Sequence, residues 1–346
     1  MFQRMGQEEK YFGCQTTAQT PDKAAAKNVR SPPQPPAEFS VKAFMSIQIR
    51  GLHKTYTGGV QALQNVNLDI ATGMFGLLGP NGAGKSTLMK ILATLETPTA
   101  GEVLINGADI RAQRQYIRSS LGYLPQFFGV YPPLTGAEFL TYIAKLNGVP
   151  RRNLRDTVHQ TLANVGLLDA RDRKAKTYSG GMMRRLGIAQ AVIGNPRLLI
   201  VDEPTTGLDP EERIRFRNLL TAISRDKVII LSTHIVADIS STCEDIAVLA
   251  KGKVAYRGHP ANLIAQAAGK VWQVLCAEAE FPKIAGRMQV ISTIPKSPHL
   301  FLRVVGEPIP GYDMQSLPPN LEDAYMYFME SVVGQRVEEE ANGVVE

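Results

Sequence analysis

Gly79-Pro80-Asn81-Gly82-Ala83-Gly84-Lys85-Ser86-Thr87 lies between a short apolar run, Met74 to Leu78, and an amphipathic helix from about Lys85 to Thr94. The segment matches G-x-x-x-x-G-K-[ST] in the strand–turn–helix setting that gives the pattern its meaning. Glycines let consecutive N–H groups turn inward around a phosphate, because no Cβ blocks the φ values required. The helix N-terminus behind them adds partial positive charge. From such a loop Lys85 reaches β- and γ-phosphate oxygens, and the Ser86 hydroxyl can coordinate Mg²⁺. The plain alternative is a glycine-rich strand–helix turn without a ligand. With the full pattern present, the expected ligand is a nucleoside triphosphate with its magnesium ion.

A second apolar strand narrows this. Leu198-Leu199-Ile200-Val201 runs into Asp202-Glu203-Pro204. Ligands of α/β sheets sit at the carboxyl ends of strands, where Asp202 can hold Mg²⁺ through water. Glu203 is then free to act on an attacking water as general base. The competing reading is an acid pair capping the next helix.

Working outward, Ile47 and Ile49, then Val66, Leu68 and Ile70, alternate as strands of a half-buried antiparallel patch. Leu198 to Val201 and Val228 to Leu231 are all-apolar, the texture of parallel strands covered on both faces. Ahead of them, about 133–176 is helical by period: Phe139, Tyr142, Ile143 and Leu146 share one face, as do Val158, Leu162 and Val165. After Gly258 three strand-like runs (Val271 to Cys276, Met288 to Thr293, Leu300 to Val305) and a helix, Leu321 to Met329, form another unit. The expected fold class is therefore α/β: a P-loop NTPase core of mostly parallel sheet, an antiparallel β patch, a helical insertion and a small C-terminal α+β appendage. The expected divisions are 1–44 as a disordered N-terminal extension, 45–258 as the ATP-binding domain, 259–335 as the appendage and 336–346 as an acidic tail. Residues 16–36 lack an apolar period and end in Pro-rich sequence, so they cannot offset the entropy of ordering. Met45 is a candidate natural start.

The 346 residues are 44% hydrophobic and 20% charged, which suits a globular chain with a real core. No apolar run approaches the roughly 18 residues of a membrane span. Cys14, Cys243 and Cys276 are too few and too scattered for a disulfide framework or zinc site, which fits a reducing compartment. The net charge of +6 is mild. It is compatible with anionic membrane or nucleic acid and selects neither.

Tyr178-Ser179-Gly180-Gly181-Met182 precedes the Asp202 strand and resembles the LSGGQ signature of the nucleotide-binding subunit of ATP-binding cassette (ABC) transporters. The other family elements follow in order over about 47–258. Gln126 in Gly122-Tyr123-Leu124-Pro125-Gln126 matches the Q-loop glutamine, and Gly207-Leu208-Asp209-Pro210 matches the D-loop. His234 in Ser232-Thr233-His234 matches the switch histidine, and Tyr56 stands where the family places an aromatic against adenine. The resemblance implies that Glu203, His234 and Gln126 are catalytic, with Ser86, Gln126 and Asp202 at the metal. It implies nucleotide contacts from Tyr56, from the loop Gly79, Pro80, Asn81, Gly82, Ala83, Gly84, Lys85, Ser86 and Thr87, and from Ser179, Gly180, Gly181 and Asp209. Plainer readings stand beside these: a helix N-cap for Ser179, a satisfied core histidine for His234, a loop glutamine for Gln126, and packing on the antiparallel patch for Tyr56. Tyr178 and Met182 depart from the signature's Leu and Gln but leave its serine and glycines intact.

The resemblance also implies a head-to-tail dimer, of identical or related subunits, in which the signature of one copy meets the γ-phosphate held by the other. It implies a separate integral membrane permease, peripheral attachment at the cytoplasmic face of the membrane, and ATP and Mg²⁺ as cofactors. Direct nucleic-acid binding is not expected. Phe127, Phe128, Tyr131 and Leu134, just after Gln126, are candidates either for permease docking or for packing beneath the insertion. The basic clusters Arg151-Arg152-Asn153-Leu154-Arg155 and 171–176 either face anionic headgroups or form solvated helix faces. The appendage resembles that of exporter-type subunits, especially at Leu321-Glu322-Asp323-Ala324-Tyr325. An importer subunit is the near alternative. A soluble ABC ATPase acting on ribosomes or nucleic acid is the remote one, since the chain carries one P-loop and no long heptad array.

Overall fold

The structure is a computed structural model that describes residues 45–334. The expected N-terminal extension and acidic tail lie outside the described residues.

In chain order, β1 (Ile47–Thr55), β2 (Gln61–Ile70) and β3 (Gly73–Leu78) lead into α1 (Lys85–Leu92). Then come β4 (Ala100–Ile105), β5 (Ala108–Asp109), α2 (Arg114–Ser119) and β6 (Leu121–Leu124). The helical stretch contributes α3 (Gly136–Leu146), α4 (Leu154–Asn164) and α5 (Gly180–Val192). It is followed by β7 (Leu198–Asp202), α6 (Pro210–Ile223), β8 (Val228–Thr233), α7 (Val236–Ser240), β9 (Asp245–Ala250) and β10 (Lys253–Gly258). The last part holds α8 (Pro260–Gln266), β11 (Val271–Ala277), α9 (Phe281–Ala285), β12 (Gln289–Lys296), β13 (His299–Val305), β14 (Met314–Ser316) and α10 (Leu321–Tyr327).

The central sheet runs β10-β9-β3-β8-β7-β6, parallel except for β10 at its edge. Its inner strands β3, β7 and β8 are apolar up to their last residues because both faces are covered, whereas the edge strand β10 is polar and half-exposed. Along β7, Leu199 and Val201 enter the core under α3 to α7, while Leu198 and Ile200 enter the core shared with α1 and the antiparallel sheet β2-β1-β4-β5. This is strand alternation with no solvent side. The parallel order carries the carboxyl ends of β3, β7 and β8 to one edge, where the glycine loop, Asp202 and His234 follow.

The face expected of α3 needs correction. Tyr142 and Leu146 are 57% and 66% exposed, and Phe139 and Ile143 are half-buried. The stripe that packs inward is Gly136, Leu140 and Ala144. Small residues carry it because neighbours come close: a Cβ on Gly136 would meet the Tyr178 hydroxyl at 2.3 Å. That hydroxyl donates to Ala170 O at 2.8 Å, so the aromatic at the signature's first position is part of how the insertion packs. On α4 the inward Val158 and Leu162 follow the expected period.

The C-terminal strands and helix form where expected, with β14 as an additional short edge strand in the order β12-β13-β11-β14. Leu321, Ala324 and Phe328 join the same core as Ile239 and Ile246, so α10 and the turn after it close over α7 and β9. Asp323 is fully buried, chelated by the Arg303 guanidinium at 2.6 and 2.8 Å, and it also caps its own helix through Asn320 N.

Candidate nucleotide-binding site

The glycine loop is built for close backbone approach. A Cβ on Gly79 would stand 2.3 Å from Leu249 O, and one on Gly84 (φ +101°) 2.5 Å from Ala62 O. Neither position admits a side chain, so the loop can curl closely against β9 and β2. Gly84 ends the loop as the left-handed N-cap of α1. Lys85 is buried, and its Nζ donates to Gly79 O (2.7 Å) and Pro80 O (3.2 Å), with Glu203 Oε1 at 3.4 Å. The ammonium thus already lies inside the loop, close to where a phosphate would meet it.

A cleft of about 440 Å³ opens over this loop, lined by its residues from Pro80 to Thr87 and by Tyr56, Gln126 and Glu203. Gln126 arrives from the end of β6, next to β7 in the sheet, and Glu203 from the end of β7. Glu203 has φ +48°, a left-handed conformation that costs a non-glycine residue of order 1 kcal/mol. Its N–H donates to Ser232 O at 2.9 Å, and Thr206 Oγ1 reaches its Oε2 at 3.5 Å. His234 Nδ1 lies 2.6 Å from the same Oε2. In the Nδ1–H tautomer the ring donates to the carboxylate and leaves Nε2 free for another partner. The strained turn therefore holds one carboxylate between an ammonium and an imidazole.

Asp202 lies behind Glu203 and is 2% exposed. Burial pushes its carboxyl above the usual range; the Ser232 and Ser86 hydroxyls pull it partly back, while the Glu203 charge adds to the rise. Its Oδ1 has no hydrogen-bond partner among the described residues, an arrangement that ordinarily needs a reason. A buried, unsatisfied carboxylate oxygen near the Ser86 hydroxyl suits a hard divalent cation. Mg²⁺ is typically held by one or two carboxylates together with substrate phosphates.

Tyr56 is partly exposed at the rim. Its hydroxyl donates to Glu96 Oε2 at 2.7 Å and lies 3.2 Å from Thr87 Oγ1, while Lys54 Nζ stands 5.0 Å from the ring centroid. Burial and the Glu96 carboxylate hold the phenol above its ordinary pKa. Glu96 went unnoticed in the sequence, as did Thr206 and the rim residues Val60 and Gln61. None carries a motif, and only the fold brings them to the cleft.

Ser179, Gly180, Gly181 and Asp209 do not line this cleft. Ser179 caps α5 by accepting from Met182 N at 3.2 Å, and Asp209 caps α6 by accepting from Glu212 N at 2.8 Å. A Cβ on Gly181 would press on Glu212 at 2.6 Å, so the glycine keeps the starts of α5 and α6 together. Phe128 packs edge-to-face on Phe139 with centroids 6.0 Å apart, the packing alternative for that residue, while Phe127 and Tyr131 are 87% and 70% exposed. Gln190 Nε2 donates to Tyr123 O at 2.8 Å and Arg184 Nη1 to Pro125 O at 3.3 Å, so α5 is tied to the strand end that carries Gln126.

The ABC transporter family model matches residues 63–206, from within β2 through the glycine loop to just past the Asp202–Glu203 strand end. The daunorubicin/doxorubicin resistance ATP-binding protein DrrA of Streptomyces peucetius is 35% identical over 245 residues, 70% of this chain and 74% of that protein. The chain belongs to the ABC transporter ATP-binding proteins. This family member is an ATPase, and it is the ATP-binding subunit of a transporter. The uncharacterized ABC transporter ATP-binding protein YxlF of Bacillus subtilis is 34% identical over 213 residues, 61% of this chain and 70% of that protein. The Nod factor export ATP-binding protein I of a Rhizobium species is 35% identical over 227 residues, 65% of this chain and 74% of that protein. Among solved structures, a dimeric post-hydrolysis state of the cassette MJ0796 with ADP and Pi superposes with a TM-score of 0.57 at 28% identity, covering 62% of this chain and 98% of that one. Among the described residues, no helix is long and apolar enough to cross a membrane.

Proposed function

We propose that two copies of this subunit, or one copy and a related subunit, close head to tail around two ATP molecules and drive a separate membrane permease in export. What supports a shared site is the division seen in one copy. The cleft gathers the glycine loop, Gln126 and Glu203, whereas Ser179, Gly180 and Asp209 lie exposed at helix starts outside it and Gly181 is buried against Glu212. A second copy would bring Ser179 and the Gly180–Gly181 amides to the γ-phosphate, where a hydroxyl and helix-terminal N–H groups match an anion. The MJ0796 cassette is itself dimeric with ADP and Pi bound. Export is supported by the names of the DrrA and Nod factor relatives.

In this reading the chain's own groups divide the work. The loop N–H groups and Lys85 bind the phosphates, and Tyr56, braced by Glu96, stacks on the adenine. Glu203 takes a proton from the attacking water, and His234 orients the carboxylate and the γ-phosphate rather than taking the proton itself. Ser86, Asp202 and Gln126 would hold Mg²⁺, which when bound neutralises charge developing on the phosphates. The subunit then works peripherally, at the cytoplasmic membrane face.

The test is Glu203→Gln, which keeps volume and hydrogen bonding but removes the base. It is expected to bind ATP, to stop hydrolysis and to accumulate as a dimer in light scattering. A monomer at saturating ATP would contradict the shared site. The membrane protein that co-purifies with the subunit identifies the permease.

A further inference from the structure

The helical insertion encloses a second cavity, of about 530 Å³, far in sequence from the glycine loop and sharing no lining residue with the nucleotide cleft. Its walls come from α3, from α4 and the turn leading into it, and from the loop at Arg171. Three cations reach it: Arg151, Arg155 and Arg171. Arg151 and Arg155 are one helical turn apart on the run into α4, so their side chains fall on one side, and the fold brings Arg171 to meet them. Neither makes a hydrogen bond or ion pair with another described residue.

Little acid opposes them. Asp172 pairs with Arg171 at 3.1 Å and is itself mostly exposed. Glu138, in the first turn of α3, is turned away to accept from Thr135 N at 2.8 Å. The floor, by contrast, is apolar: Leu154 half-buried, Val158 6% and Leu162 0% exposed. A neighbouring hollow of about 520 Å³ shares Arg151 and Leu154 and adds Lys145. Two free guanidiniums, Arg151 and Arg155, and a third that Asp172 pairs with on the same cavity wall, over an apolar floor, match a ligand that carries an oxyanion and a hydrocarbon part together. A bare phosphate would use the arginines and leave the floor wet.

We propose that this cavity binds an anionic phospholipid, with the phosphate on Arg151, Arg155 and Arg171 and the first carbons of its chains on Leu154, Val158 and Leu162. Guanidiniums suit the task, since their planar fork meets phosphate oxygens in pairs. The inference rests on the reading that the subunit works at a membrane. It adds a direct lipid contact on a part of the subunit separate from the nucleotide.

The experiment uses the full chain and phosphatidylcholine vesicles with and without phosphatidylglycerol, read by co-sedimentation. A charge-assisted guanidinium–phosphate contact is roughly twice as strong as a neutral hydrogen bond and forms only where the fork reaches the phosphate. Arg151→Ala with Arg155→Ala is therefore expected to weaken binding to the anionic vesicles by more than tenfold. Arg152→Ala removes an equal charge one residue away but outside the cavity, and it is expected to change binding by less than twofold. Basal ATPase activity is expected to stay unchanged in all variants. Dihexanoyl phosphatidylglycerol below its micelle concentration is expected to compete, and inorganic phosphate at the same concentration is not. The proposal is overturned if Arg152→Ala weakens binding as much as Arg151→Ala or Arg155→Ala made singly, if inorganic phosphate competes equally, or if the wild type ignores phosphatidylglycerol. These readouts need no permease, so their failure leaves permease co-purification as the separate test of the membrane reading.

Discussion

Asp202→Asn separates what this residue does for the fold from what it is proposed to do for magnesium. The side chain is 2% exposed, its Oδ1 is unsatisfied, and burial raises its pKa. For a carboxyl raised on folding, the native state holds more protons than the unfolded state between the ordinary value of 3.8 and the raised one. Stability from this group therefore falls as pH rises through that window, and the full cost remains at neutral pH. A buried unsatisfied polar group costs about 1–3 kcal/mol, more for a charge. An asparagine still buries a polar atom there and sheds only the additional cost of the charge, so at about 2 °C per kcal/mol the uncharged isostere is expected to melt about 2 °C above the wild type at pH 7 without nucleotide. The gain should shrink as pH is lowered toward 4. With Mg²⁺ and ATP the order is expected to reverse. At a ligand concentration about a hundred times its Kd, the wild type gains about 2.7 kcal/mol, and the variant should lose most of that. Differential scanning calorimetry at two pH values, with and without Mg-ATP, reads all four quantities. If the nucleotide-free variant melts below the wild type at pH 7, the burial argument is wrong. If it gains as much from Mg-ATP, the metal role is wrong.

Lys85→Ala is expected to weaken ATP binding about a hundredfold or more, because a buried charge-assisted contact is lost; fluorescence titration with a nucleotide analogue reads this directly. His234→Ala should keep nucleotide affinity within a few-fold and lower kcat by about 10²–10³, the range for one orienting or acid–base group. An unchanged kcat would return His234 to a structural role. Arg303→Ala strands the fully buried Asp323 carboxylate and is expected to destabilise the protein by about 3 kcal/mol in urea. Pairing it with Asp323→Asn should restore part of that loss, and a double variant no better than the single would mean the ion pair is not what anchors α10.

Much of the architecture was legible because it is written in short-range periods. The all-apolar runs at β7 and β8 announce a sheet covered on both faces, and the glycine loop is contiguous, so its strand–turn–helix setting can be read from neighbours alone. The positions of Asp202 and Glu203 follow from the same local logic, a strand that ends in acids. Where residue size rather than hydrophobicity governs packing, the period misleads. On α3 the inward stripe is Gly136, Leu140 and Ala144, with Gly136 leaving room for the Tyr178 hydroxyl, while Tyr142 and Leu146 stay outside.

Chain order thus determined which chemical groups are available: a phosphate loop, a strand-end acid pair, a histidine after β8, a serine–glycine helix start and a run of arginines. Tertiary structure alone decided their company. It set His234 2.6 Å from Glu203, braced Tyr56 with Glu96, put the Ser179 and Asp209 helix starts outside the cleft, and turned Arg151 and Arg155 toward Arg171. The reason is physical. Backbone hydrogen bonding and burial periods act within a few residues and leave a signature there, whereas side-chain contacts across the sheet depend on distances that no single stretch of sequence encodes.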